Sequence, residues 1–171
     1  FGIASIVLAI KGGNTVSSNL SQEFITGTPD MTPSAIQPEV DAIKAELKMP
    51  NLQVKLNPVT SATRIPLIAN GTIDLECGST TNNLEREKQV GFINTYFVTA
   101  NRYVAKKASN IKNLNDLKGK TVVSTSGTTN LKQITEMNGA QNMGMSILTA
   151  KDHAEAFLMV ETDRASAFFM D

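Results

Sequence analysis

Two hydrophobic periods alternate along this chain, and each switch between them marks the end of one element and the start of another. Val40, Ile43 and Leu47 recur at helical spacing, which predicts a helix from Glu39 that Pro50 ends. Leu52 to Leu56 alternates apolar and polar residues, the period of a half-buried strand. Ser61 and Thr63 precede Arg64 to Ile68, a short helix opened by a capping-type residue and closed near Gly71. Ile73 to Cys77 reads as the following strand, broken at Gly78, and Asn82 to Gln89 as a polar helix start.

Phe97 to Ala105 is a long extended run with no turn signal to divide it, long enough to pass between two sheets. After it the cycle restarts. Leu114 to Leu117 predicts a short helix ending at Gly119, Thr121 to Ser126 a β-branched strand and Leu131 to Met137 a helix. Met145 to Leu148 is a strand, Asp152 to Glu161 a helix and Ala165 to Met170 a final strand. Strands alternating with helices predict an α/β fold with a parallel sheet and crossover helices. Two such series joined by one connector predict two lobes, 1–96 and 104–171, with 97–103 as the hinge strand. Ahead of them, Phe1 to Ile10 predicts a buried strand, while Gly12, Gly13, Gly27, Pro29, Pro33 and Pro38 make 11–38 irregular.

Composition changes this picture mainly by exclusion. The 171 residues carry 16 basic and 16 acidic side chains, and without a clustered basic excess a nucleic-acid partner is not expected. The apolar Phe1 to Ile10 is too short for a bilayer, which takes about 20 helical residues, and no basic segment precedes it as in a signal peptide. With one His and one Cys there is no metal cluster to propose, and no cofactor is expected. An enzyme reading would pair Cys77 with His153, or let Ser126-Gly127-Thr128-Thr129 cradle a phosphate. The first fails because Cys77 sits in an apolar strand, the second because no Lys follows the glycine.

What remains is anion chemistry. Ser79, Thr80 and Thr81 with Arg86 form one hydroxyl-and-guanidinium inventory, and Ser124 to Asn130 forms a second hydroxyl stretch before a helix. Both follow strands, the place where open α/β sheets bind ligands, so a small anion is expected between them. Taken singly, Arg64 and Arg86 read as surface arginines, Thr128 and Thr129 as helix caps, and His153 as a solvated or capping histidine.

Together, Ala62 to Leu67, Asn70 to Asn83, Asp116 to Val123 and Ala150 to His153 resemble the periplasmic polar amino-acid-binding proteins of bacterial ABC importers, and among them those for glutamate and aspartate. The resemblance runs from about Glu39 to Asp171, and Asp116-Leu117-Lys118-Gly119-Lys120 is shared across the wider family. It implies a two-lobed flytrap fold with a mixed, mainly parallel sheet in each lobe. It further implies that Arg86, Thr81 and Thr129 hold the ligand α-carboxylate, that Ser79 and Asp171 hold the ammonium, and that Ser61, Arg64 and His153 meet the side-chain carboxylate. No catalysis is implied: the partners are L-glutamate or L-aspartate and an inner-membrane permease, the location periplasmic and the state monomeric. The same architecture also serves as a sensing domain of receptors and regulators, the alternative reading.

Two departures from the family pattern are visible. Family members carry an arginine after their first strand that joins the ligand site, and 1–38 contains none. They also continue past the position of Asp171 to complete the first lobe and supply a cysteine that pairs with the one at Cys77. The chain therefore reads as truncated.

Overall fold

The computed structural model describes residues 2–8, 41–53, 55, 57–95 and 97–171, with the backbone alone for 2–8. The irregular reading of 11–38 and the helix start at Glu39 lie outside the described residues. The chain divides into two compact units, one from Ile3 to Phe97 and one that comprises Val98 to Asp171 together with Gly2.

In the N-terminal unit, β1 (Gly2–Leu8) pairs antiparallel with β2 (Leu75–Thr81); β3 is the short strand Phe97–Thr99. Helix α1 spans 41–46 and stops short of Pro50: Lys48 turns to φ 55° and the Met49 amide reaches back to the Lys44 carbonyl. Helix α2 is Arg64–Ala69. Thr63 precedes it as expected, yet its hydroxyl turns back to the Thr60 amide at 2.8 Å instead of capping the helix. Gly71 follows at φ 75°, a conformation that glycine adopts without strain. Val59, Ile65, Ile68, Ile73 and Val90 pack as the core of this unit.

Several expectations here need correction. The strand does not end at Gly78; β2 continues to Thr81 because β1 pairs with it on either side, Val7 opposite Glu76 and Ser5 opposite Thr80, with a register shift between Ser5 and Val7 that marks the glycine as an irregularity in the ladder. A ladder partner outweighs the local preference of one glycine. Residues 84–89 are turns, not a helix. Leu84 is 79% exposed, and a polar segment with no apolar face to bury gains little from continuing a helix. Leu52, Gln53 and Lys55 are not in a strand, although Leu52 is buried and the other two exposed as the alternation requires; Val54 and Leu56 lie outside the described residues.

The C-terminal unit is built on a four-stranded sheet of order β4-β7-β5-β6. Its strands are β4 (Arg102–Val104), β5 (Thr121–Thr125), β6 (Ser146–Ala150) and β7 (Ala167–Met170). β5 runs parallel to β6 and β7, and β4 is antiparallel to β7. The extended run from Phe97 is thus two strands, β3 and β4. They part at Ala100-Asn101, where the Asn101 side chain bonds to Gln133 and accepts from Asn130 at 2.5 Å. Both partners belong to α3 (Thr129–Ala140), so side-chain amides compete successfully with a continuing strand.

Alternation along the strands splits the core into two layers. Val122 and Phe169 face the layer of Ile134 from α3, with Leu117, Met143, Met145 and Ala167. Val123 and Phe168 face the layer of Ala156, Met159 and Val160 from α4 (His153–Glu161). Helices on both faces of a parallel core are what a buried β-branched strand such as Thr121–Thr125 calls for.

Candidate functional site

The structure divides the residues singled out from sequence into two groups, one per unit. The N-terminal group begins with two buried arginines. Arg64, the first residue of α2, is 4% exposed, and Arg86 is 9% exposed. A buried guanidinium demands partners, since taking its charge out of water costs several kcal/mol.

Arg86 donates from Nη1 to the Thr81 carbonyl at 2.9 Å, and its own amide is held by the Asn83 side chain at 2.9 Å. Arg64 turns toward Glu76, with Nη1 3.6 Å from Oε1. Glu76 is fully buried, and its other oxygen accepts the Thr80 hydroxyl at 2.8 Å. Arg64 Nε and Glu76 Oε1 are both buried without a hydrogen-bond partner. Burial pushes the Glu76 carboxyl above its ordinary range, against the opposing pull of Arg64, the Thr80 hydroxyl and Arg86.

The pleat of β2 sorts the hydroxyls. Thr80 shares a face with Glu76 and is fully buried, whereas Ser79 and Thr81 alternate with it and are half-buried. Ser61, three residues before α2, is 2% exposed. Cys77 is buried in the same strand.

In the C-terminal unit the parallel direction of β5, β6 and β7 brings their carboxyl ends to one edge of the sheet, and Thr129, His153 and Asp171 all follow at that edge. After β5 the chain turns through Gly127 at φ 75° into α3, where Thr128 caps the helix by accepting from the Leu131 amide at 3.1 Å. Thr129 is the first helical residue and is half-buried. The amino end of this 12-residue helix carries partial positive charge, favourable to an anion.

His153 opens α4 behind its cap Asp152, which accepts from the Glu155 amide at 2.8 Å. Its ring centroid lies 5.9 Å from that of Phe168, and Nδ1 is 2.6 Å from Thr125 Oγ1. Asp171 is exposed just after β7.

One residue of these groups lies outside the sequence reading: Glu76. Glu76 had a signal, a charge inside the apolar run Ile73 to Cys77 with a hydroxyl four residues on, hence on the same strand face. Thr80 and Thr125 belong to the two hydroxyl stretches, but the sequence assigns neither a partner. Among the described residues no cluster suited to a metal ion occurs, and no helix is long and apolar enough to cross a membrane.

The chain is 55% identical over 132 residues to the L-glutamate/L-aspartate-binding protein of Pseudomonas aeruginosa, covering 77% of this chain and 44% of that protein. It is 52% identical, over the same shares, to the glutamate/aspartate import solute-binding protein of Escherichia coli. The chain thus spans less than half the length of these relatives. Among solved structures, an ancestral arginine-binding protein bound to arginine superposes with a TM-score of 0.73 at 27% identity, over 93% of this chain and 70% of that one. These similar proteins are named as binding proteins, as the resemblance implied. Residues 38–164 match the bacterial extracellular solute-binding proteins, family 3, and the chain belongs to that family.

Proposed function

We propose that this chain is part of an extracytoplasmic binding protein that captures L-glutamate or L-aspartate and delivers it to an ABC-importer permease. The reading draws on the names of its relatives. The observation that carries it in this chain is the pair of buried arginines, of which Arg64 has a buried Nε without a partner. An acidic amino acid presents two carboxylates and one ammonium, and burying it requires counter-charges for all three.

In this reading Arg86, Thr81 and Thr129 hold the α-carboxylate. Ser79 and Asp171 hold the ammonium, and Ser61, Arg64 and His153 meet the side-chain carboxylate. The protein acts as a monomer without catalysis, in the periplasm, and 97–103 serves as the hinge on which two lobes close and exclude water. A ligand without the second carboxylate leaves the Arg64 edge unpaired, which favours the acid over the amide by several kcal/mol.

Calorimetric titration of the full-length protein with glutamate, aspartate, glutamine and phosphate tests this. Glutamate and aspartate are expected to bind and glutamine to bind far more weakly; equal affinity for glutamate and glutamine refutes the two-carboxylate scheme. Arg86→Ala should abolish binding of every amino acid, whereas Arg64→Ala should weaken the acidic ones selectively. Equal losses for all ligands in both variants would overturn the division of roles.

A further inference from the structure

The hydroxyl of Thr125 raises a question that the ligand scheme leaves open. Thr125 is 1% exposed at the last position of β5, and its Oγ1 lies 2.6 Å from His153 Nδ1. A hydroxyl has one proton to donate, and leaving a buried donor unpaired is costly. Among the described residues, the side-chain partner of this hydroxyl is the imidazole nitrogen. The satisfied arrangement has Thr125 donating and Nδ1 accepting, which puts the ring proton of a neutral histidine on Nε2. The opposite arrangement, Nδ1–H donating to Oγ1, strands the threonine proton in the interior.

We propose that Thr125 is a positioning residue that fixes His153 as the Nε2–H tautomer, presenting a neutral donor to a ligand oxygen. Among the contacts that set the ring's place are Thr125 on Nδ1 and the Phe168 ring at 5.9 Å, and the Asp152 cap starts α4 one residue earlier. The titratable groups beside it on its own element are Asp152 and Glu155, and both carboxylates are engaged by backbone amides, of Glu155 and of Lys151. Thr125 is the side-chain hydroxyl on Nδ1, and the tautomer is assigned to it.

The role of the Nε2–H as a ligand contact rests on the proposed function, whereas the tautomer does not. The chain holds one histidine, so a long-range ¹H–¹⁵N correlation spectrum of the full chain reports its ring without ambiguity. Near neutral pH and without ligand, the spectrum should show Nδ1 unprotonated and Nε2 protonated. Thr125→Val, similar in shape but without the hydroxyl, should yield mixed tautomers, and Thr125→Ser should restore the single form. A wild-type ring with its proton on Nδ1, or a Val spectrum identical to wild type, overturns the assignment.

If glutamate binds, Thr125→Val should weaken it about tenfold, the effect of loosening one hydrogen bond to a charged group, and Thr125→Ser should recover most of the loss. Undiminished affinity in the Val variant overturns the positioning role even where the tautomer is correct. Failure of the wild type to bind glutamate, with the tautomer as stated, overturns the ligand assignment alone.

Discussion

Replacing Glu76 by Gln sets two opposed effects against each other. At 3.6 Å and an effective dielectric constant of about 20, attraction to Arg64 is worth about 5 kcal/mol. Thr80 adds a hydrogen bond to the carboxylate, of about 1.5–3 kcal/mol. Against these stands the removal of both ions from water, several kcal/mol for each, at positions 0% and 4% exposed. Burial is the largest of these influences and pushes the Glu76 carboxyl above its ordinary value of 4.5.

The sign for stability follows from linkage. A raised folded-state pKa means that the native protein holds the proton more tightly than the unfolded chain. The associated stability is therefore fully present below pH 4.5 and is lost as pH rises through the folded-state value. The Gln variant keeps an acceptor for Thr80 but does not titrate. Urea unfolding of both proteins from pH 4 to 8 should show them converging at the acidic end. Above about pH 4.5 the wild type should lose ground to the variant, with a limiting slope of about 1.4 kcal/mol per pH unit. A wild type that gains on the variant as pH rises would refute the reasoning, because attraction to Arg64 would then outweigh burial.

Three further predictions use the same unfolding assay. Phe168→Ala, at a position 1% exposed between β7 and α4, should cost about 3–5 kcal/mol by leaving a cavity; a loss below about 1 kcal/mol would mean that the layer collapses around it. Asp152→Ala should cost about 1 kcal/mol by removing the cap of α4, with Asp152→Asn largely neutral. Asp116 is held below its ordinary 3.8 by the backbone amides of Lys112 and Asn113, so its contribution is present above that value and lost as pH falls. Asp116→Asn should accordingly flatten the acid limb of the stability curve, and an unchanged limb would count against it.

The sequence by itself determined the second half of the fold almost element by element. Thr121 to Ser126, Asp152 to Glu161 and Ala165 to Met170 match β5, α4 and β7 within two residues, because short βα units bury their faces against near neighbours and period reports burial. The hydroxyl stretches and the arginines were legible as residue types, and the structure shows that Arg64, Arg86, Thr80 and Thr125 are buried. Only the tertiary structure decided what depends on partners distant in sequence. Strand β1 carries β2 through Gly78, and the α3 amides divide the run from Phe97 at Asn101. The depth at which Arg64 faces Glu76 and the approach of Thr125 to His153 across 28 residues are likewise products of packing. Spacing along the chain can place a side chain on a face of its own element, but the atom it meets is fixed by another element, and that atom decides which proton a buried group keeps.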